Sequence, residues 1–192
     1  MRHRKAGKRL SRRKEERVAL ARNLTGSLCE QFGGEREFIY TTRTKAKWVR
    51  PFAESCITLS VKGYRELKKA ADAQGVTVDE LRAMQTGKER TKFKQFGAKV
   101  REHLTLSIHY RRQLAKKLRN PEWVSMLFED IAPRYQDRPG GYLRVLHTGL
   151  CNKGNAAPRS ILGFVEDTRE VAEAPASPEG AAAEGAASEG DA

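Results

Sequence analysis

Residues 142–165, YLRVLHTGLCNKGNAAPRSILGFV, decide the fold because they contain two strand patterns joined by a turn. Side chains alternate along residues 142–150, and residues 161–165 are rich in apolar side chains. The Gly, Asn and Pro residues within 151–158 favour a turn between these two segments. The stretch therefore predicts a β-hairpin.

Another strand and a first helix are predicted nearer the N-terminus. Residues 38–41, FIYT, are bulky and β-branched, which indicates a short strand. Before them, apolar residues recur at helical spacing and predict a helix over 11–32, with Ser11 as its N-cap. Gly33 and Gly34 are expected to end that helix.

A second helix is predicted to begin near Thr42 or Thr44. Pro51 lies near its second turn, where it would either kink the helix or mark its true first turn. The face expected to be buried comprises Ala46, Val49, Ala53, Cys56 and either Leu59 or Ser60.

Residues 63–97 form a polar segment with a helical pattern. Gly75 and Gly87 interrupt this pattern. The segment therefore predicts one or two solvated helices.

The next part of the chain predicts mainly helix before the hairpin. Apolar positions recur every three or four residues over 88–119, which predicts a long amphipathic helix ended by Asn120-Pro121. A short helix over about 122–131 and a loop over 133–141 follow. Helices packed on a small sheet that includes the C-terminal hairpin make a two-layer α+β domain.

The charge of the chain is strongly positive and unevenly distributed. Lys and Arg number 37 against 24 Asp and Glu, a net charge of +13, which favours a polyanionic partner such as nucleic acid. Residues 1–10 are predicted to be a basic arm, and residues 11–170 a single domain. Residues 171–192, rich in Ala, Gly and Glu, are predicted to be a disordered acidic tail.

The cysteines and the hydropathy indicate a soluble protein of a reducing compartment. No stretch approaches the roughly 20 apolar residues of a membrane span. Cys29, Cys56 and Cys151 lie far apart, with neither a disulfide framework nor a CxxC pair, and are expected to be small buried residues. The chain is therefore expected to remain in the cytoplasm.

Three groups of motifs resemble the L-seventeen family of bacterial large-subunit ribosomal proteins. The resemblance covers roughly residues 1–62 and 104–167. Extra residues around 33–37, a helical insertion at about 64–103 and the acidic tail depart from the family pattern. The motifs are MRHRK at 1–5 and ARNL at 21–24; IYTT at 39–42, KAK at 45–47 and CITL at 56–59; and LF at 127–128, APRY at 132–135, RPGGY at 138–142, RVL at 144–146 and NAAP at 155–158.

The resemblance implies a structural constituent of the large ribosomal subunit, located on cytoplasmic ribosomes. Its implied partners are large-subunit ribosomal RNA, near the polypeptide exit side, and neighbouring ribosomal proteins. Neither a cofactor, a membrane nor a small-molecule substrate is implied. Binding is expected mainly through phosphate and shape contacts.

Cationic side chains, with a few polar and aromatic ones, are the candidates for this contact. The arm could instead be a merely solvated terminus, and Arg22 and Asn23 could brace neighbouring elements. The lysines and arginines of the helices could be ordinary charged faces. The candidate RNA-binding residues are Arg2, His3, Arg4, Lys5, Lys8, Arg9, Arg12, Arg13, Arg22, Asn23, Lys45, Lys47, Arg50, Arg111, Arg112, Arg138 and Tyr142.

An enzyme is the competing class, but the sequence contains no motif that would support one. It has no G-x-S-x-G elbow, P-loop or G-x-G-x-x-G, and no metal site is expected from His103 and His109, which are six residues apart. Trp48 and Trp123 are expected to be packing residues. A free RNA-binding or regulatory protein is the other alternative, although no helix-turn-helix, RRM or zinc-finger pattern is present.

Overall fold

The computed structural model describes residues 8–86 and 96–165. Helices and a three-stranded sheet make up this part, as the predicted α+β class requires. In chain order the elements are α1 (Lys14–Glu30), β1 (Phe38–Thr42), α2 (Arg43–Gln74), α3 (Val78–Thr86), α4 (Ala98–Leu118), α5 (Pro121–Met126), a π-helical turn (Leu127–Ile131), α6 (Ala132–Arg134), β2 (Leu143–Cys151) and β3 (Pro158–Phe164).

The sheet has the strand order β1-β3-β2, and both pairings are antiparallel. The predicted hairpin, formed by β2 and β3, and the predicted early strand, β1, are therefore confirmed. Strand β3 lies between β1 and β2 in the sheet. Ile161 in β3 pairs with Tyr40 in β1 and with Leu146 in β2, so these three side chains form one row across the sheet. Leu143 and Leu162 are buried on the side that packs against the helices.

Helix α1 begins three residues later than predicted. Leu10 and Ser11 have φ angles of 52° and 50°, in a turn closed by the Arg12 N–H donating to the carbonyl of Arg9. Ser11 therefore does not cap the helix, and that prediction is wrong. Arg13 is the N-cap, and its backbone N–H donates to the carboxylate of Glu16 at 3.3 Å.

Helix α2 starts where the sequence predicts and runs for 32 residues. The expected buried face is confirmed, with Ser60 rather than Leu59 at its end. Pro51 lies inside the helix, and Gly63, where the polar segment was expected to begin, does not interrupt it. Gly75 ends the helix with a φ of 67°, a left-handed conformation that glycine adopts without steric cost.

The main core joins α1, α2, the second half of α4, the π-helical turn and the inner face of the sheet. The Tyr135 hydroxyl, within a fully buried side chain, donates to the Val165 carbonyl at 2.7 Å. Trp48 and Trp123 pack partly buried against this core, as predicted. The short helix extends beyond its predicted end, because α5 continues through the π-helical turn into α6.

A second apolar cluster lies at the far end of α2, where solvated helices were expected. Its side chains come from α2, α3 and α4, so the helices of this segment are packed together and not merely solvated. Helix α4 begins at Ala98; Gly87 and residues 88–95, included in the predicted helix, lie outside the described residues. The buried members are Leu67, Ala70, Ala71, Leu81, Val100 and Leu104.

Glu66 links α2 to α4 beside this second cluster. Its Oε2 lies 2.7 Å from His103 Nδ1, and its Oε1 accepts from Lys69 Nζ at 2.8 Å. Burial alone would raise the Glu66 pKa, but the hydrogen bonds and positive charges of Lys69 and His103 outweigh it and hold the pKa below its ordinary value.

The depressed Glu66 pKa predicts an acid-sensitive contribution to stability. The folded-state pKa lies below the unfolded one, so the contribution is present above the unfolded pKa and is lost as pH falls through the folded one. We expect Glu66→Gln to lower the urea midpoint more at about pH 7 than at about pH 3. Glu102→Gln, at an exposed carboxylate, is the control. An equal midpoint loss at both pH values would contradict the assignment.

The cysteines divide into two environments. Cys29 and Cys56 are buried, and burial raises their pKa values to about 12 and about 11. Cys151 is exposed, so the expectation that it is buried is wrong. It is the last residue of β2, beside the turn that joins β2 to β3 and outside the core. Among the described helices, none combines the length and apolar composition that crossing a membrane requires.

Candidate nucleic-acid interface

The basic segment before α1 is exposed where the structure describes it. Lys8, Arg9, Arg12 and Arg13 all face solvent, and the Lys8 carbonyl accepts a hydrogen bond from the Arg17 guanidinium at 3.0 Å. The turn in front of α1 thus presents these cations to solvent. The candidates Arg2, His3, Arg4 and Lys5 lie outside the described residues.

Arg22 is held by a neighbouring helix. It is half-buried, and its Nε donates to the Lys117 carbonyl in the last turn of α4 at 2.7 Å. A cation at the carbonyl end of a helix also complements the helix dipole. This contact favours the bracing alternative for Arg22, whereas the neighbouring Asn23 is exposed.

The start of α2 places cations beside the sheet. Thr42 caps the helix without a side-chain hydrogen bond, so the cap leaves the N–H groups of the first turn available for another acceptor. Lys47 is exposed. Lys45 lines a shallow groove that Tyr40 also lines. Arg50 is engaged within the helix, because its Nε donates to Glu54 at 2.9 Å.

Arg111 and Arg112 in α4 differ although they are adjacent. Arg111 is half-buried; it donates to Ser125 Oγ at 3.2 Å and lies over the Phe128 ring at 5.8 Å. These contacts join α4 to the following helical segment. Arg112 is exposed and faces solvent.

The Pro-Gly-Gly loop is organised by its own arginine. Arg138 Nε donates to the Gly140 carbonyl at 3.2 Å, and the Arg138 carbonyl accepts from Arg65. Tyr142, expected to offer a stacking face, is only 2% exposed and packs against Tyr135 with ring centroids 5.3 Å apart. Its ring belongs to the core, so the stacking role expected for it is wrong.

Sequence reasoning missed the residues on the outer face of the sheet. Tyr40 is 62% exposed and Leu146 is 50% exposed, and the exposed Arg144 and Arg159 lie on the same face. The strand alternation carried the signal: residues separated by two positions share a face, and the buried Leu162 sets which face points inward. In residues 8–86 and 96–165 no group of three or more His, Cys, Asp or Glu side chains could hold a metal ion.

These features define a small, strongly basic α+β protein whose exposed cations lie on open surfaces around its packed helices and sheet. The family model described as ribosomal protein L17 matches residues 20–165. The chain therefore belongs to the ribosomal protein L17 family, and the resemblance predicted from the motifs is confirmed.

Individual relatives agree with the family match over most of the chain. Large ribosomal subunit protein bL17 of Roseobacter denitrificans is 34% identical over 170 residues, covering 88% of this chain and 86% of the relative. The protein of the same name from Geobacter metallireducens is 32% identical over 182 residues, covering 95% and 75%. That from Cereibacter sphaeroides is 34% identical over 166 residues, covering 86% and 84%.

Proposed function

We propose that this chain is a structural constituent of the large ribosomal subunit of cytoplasmic ribosomes and binds ribosomal RNA mainly through phosphate and shape contacts. Membership of the ribosomal protein L17 family supports the first part. The observation that carries the second part is the exposed cluster of Lys8, Arg9, Arg12 and Arg13 in front of α1. Neighbouring large-subunit proteins are the other proposed partners.

Phosphate contact is the chemistry that such a cluster favours. Each Lys or Arg that neutralises a phosphate releases condensed counterions, which gives affinity that falls steeply with salt. Arginine adds paired N–H donors that match phosphate oxygens and a plane that stacks on unpaired bases. The proposed contact residues are Arg2, His3, Arg4, Lys5, Lys8, Arg9, Arg12, Arg13, Asn23, Lys45, Lys47 and Arg112.

Four of the arginine candidates have a positioning role in this proposal. Arg22, Arg50, Arg111 and Arg138 each donate to a protein acceptor. Their contacts fix α4, α2 and the Pro-Gly-Gly loop, and thereby hold the exposed cations in place. We therefore propose a scaffold role for the protein and no catalytic one.

The domain organisation follows the same division. We propose a basic arm over 1–10, a single domain over 11–170 and an acidic tail over 171–192. The segment at about 64–103 is then an extension of the domain that carries its own apolar cluster.

The salt dependence of RNA binding tests the proposal. We expect the full chain to bind large-subunit ribosomal RNA with a strongly negative slope of log affinity against log salt. Arg12→Gln with Arg13→Gln should lower the affinity about tenfold and reduce the slope by roughly 1 to 2. Fluorescence anisotropy over a salt titration measures both quantities.

A variant with the same change in net charge is the matched control. Lys99 and Arg101 are exposed near the start of α4 and are not among the proposed contact residues. Lys99→Gln with Arg101→Gln should therefore change the slope less than the arm variant does. An affinity that does not depend on salt, or equal losses in the two double variants, would overturn the proposed contact.

A further inference from the structure

The outer face of the three-stranded sheet carries an apolar row that the helical core does not cover. Tyr40, Ile161 and Leu146 are aligned across the three strands, and the first and last are 62% and 50% exposed. The Phe38 ring meets the Tyr40 ring edge to face, with centroids 5.4 Å apart, and so supports the tyrosine side chain from one side. An exposed aromatic in a contiguous apolar patch is typical of an interaction site.

Cations flank this row on both sides. Arg144 is exposed and pairs with Gly163, two residues along the strand from the Leu146–Ile161 pair and therefore on the same face. Arg159 pairs with Thr42 in the row on the other side, and Lys45 shares a groove with Tyr40 and Arg159.

Among the described residues, acidic side chains line the groove at the Arg144 end of this face, and none lines the groove beside Tyr40. Glu35 and Glu37 line the groove beside Arg144. Glu37 is already paired with Arg134 at 2.6 Å. The face around Tyr40 is therefore positively charged as well as aromatic.

We propose that this outer patch, consisting of Tyr40, Ile161, Leu146, Arg144, Arg159 and Lys45, binds an unpaired segment of RNA. A base stacks on the Tyr40 ring, and Lys45 and Arg159 hold the adjoining phosphates. The inference deepens the proposed function, because it rests on ribosomal RNA being the partner and names the kind of RNA that this face takes.

Charge and chemistry favour single-stranded RNA over an apolar protein surface. A base presents an apolar face beside charged phosphates, which matches an aromatic ring flanked by cations. An apolar protein partner would have to desolvate Arg144 and Arg159 without supplying charges to compensate them. A paired RNA helix would leave the ring unused, since its bases are already stacked.

Binding of the full chain to a fluorescent single-stranded RNA of about ten nucleotides tests this assignment. We expect Tyr40→Ala to weaken binding about tenfold and Tyr40→Phe, which keeps the ring, to bind within about twofold of the wild type. Leu150→Ala is the matched control, because Leu150 is 63% exposed on the same hairpin but lies outside the patch; it should bind as the wild type does. Thermal melting confirms that each variant is folded.

Arg144→Gln with Arg159→Gln provides a second, independent variant. It should also weaken binding of the oligonucleotide and reduce the salt slope by about 1, since phosphate contacts at the patch are lost. Both side chains are exposed and lie outside the core. The variant also removes the hydrogen bond from Arg159 Nε to Asn152 Oδ1 in the hairpin turn, so thermal melting is measured for it as well.

The outcomes separate this inference from the proposed function. If the chain binds large-subunit ribosomal RNA normally but Tyr40→Ala and wild type bind the oligonucleotide equally, the patch assignment fails and the proposed function stands. If the chain binds neither RNA, both fail. If Tyr40→Ala leaves RNA binding intact but weakens binding to protein stripped from large subunits, the occupant is a protein and the inference is overturned.

Discussion

Gly63→Val is expected to lower the free energy of unfolding by about 3 kcal/mol. A Cβ at position 63 would lie 2.5 Å from Cε1 and 2.9 Å from Cζ of Phe128, and 3.2 Å from the Tyr110 Cβ. Phe128 is itself buried, so its ring cannot swing into solvent. Replacing a helical glycine ordinarily gains up to about 1 kcal/mol, and here the clash outweighs that gain.

Urea unfolding followed by circular dichroism measures the effect. The control is Gly140→Ala, because a Cβ there meets no atom within 4 Å. That variant should be neutral or slightly more stable, since alanine restricts the unfolded chain. A urea midpoint for Gly63→Val equal to that of the wild type would show that α2 and the π-helical turn are not in close contact at this glycine.

Glu37→Ala is expected to cost about 2 kcal/mol of stability. Both Glu37 oxygens accept from Arg134 Nη1, at 2.7 and 2.6 Å, and one of them also accepts from the Gly33 N–H at 3.1 Å. The Arg134 guanidinium lies over the Phe32 ring at 5.2 Å. Truncating Glu37 removes the carboxylate from a cation fixed between core elements.

The expected loss is smaller than the roughly 3 to 5 kcal/mol of a fully buried pair, because both side chains keep 23% exposure and water replaces part of the interaction. Glu35→Ala, at a neighbouring exposed carboxylate, is the control and should change stability by less than about 0.5 kcal/mol. Chemical denaturation of the two variants side by side measures the difference. Equal stabilities would mean that the pair makes no net contribution.

Local patterns predicted most of the fold. The strand at 38–41 and the hairpin follow from alternation and turn residues, which act within a few positions of the chain. The buried face of α2 follows from its apolar periodicity. At its end, periodicity did not decide between Leu59 and Ser60, and the structure buries the polar Ser60.

Long-range contacts account for what local patterns missed. Gly63 resembled a boundary because glycine has low helix propensity, whereas its missing side chain is what admits the Phe128 ring. The second cluster depends on Ala70 and Ala71 in α2 meeting Leu104 in α4, and alanines give little hydrophobic signal.

The candidate interface was predictable in charge but not in detail. The basic segment before α1 is visible in composition alone, and its described cations are exposed. That Arg22 would meet the Lys117 carbonyl, 95 residues away, or that Tyr142 would turn inward, depends on tertiary packing. The exposure of Tyr40 could not be predicted from local sequence, because it depends on which face of the sheet the helices cover.

The length of α2 gives the molecule a fixed internal span. At a rise of about 1.5 Å per residue, its 32 residues extend about 48 Å. The helix starts directly after β1, at the sheet, and ends beside the second cluster. The helix therefore fixes the distance between the main core and the second cluster. When the sheet contacts a partner, the second cluster is held at a set distance from that contact.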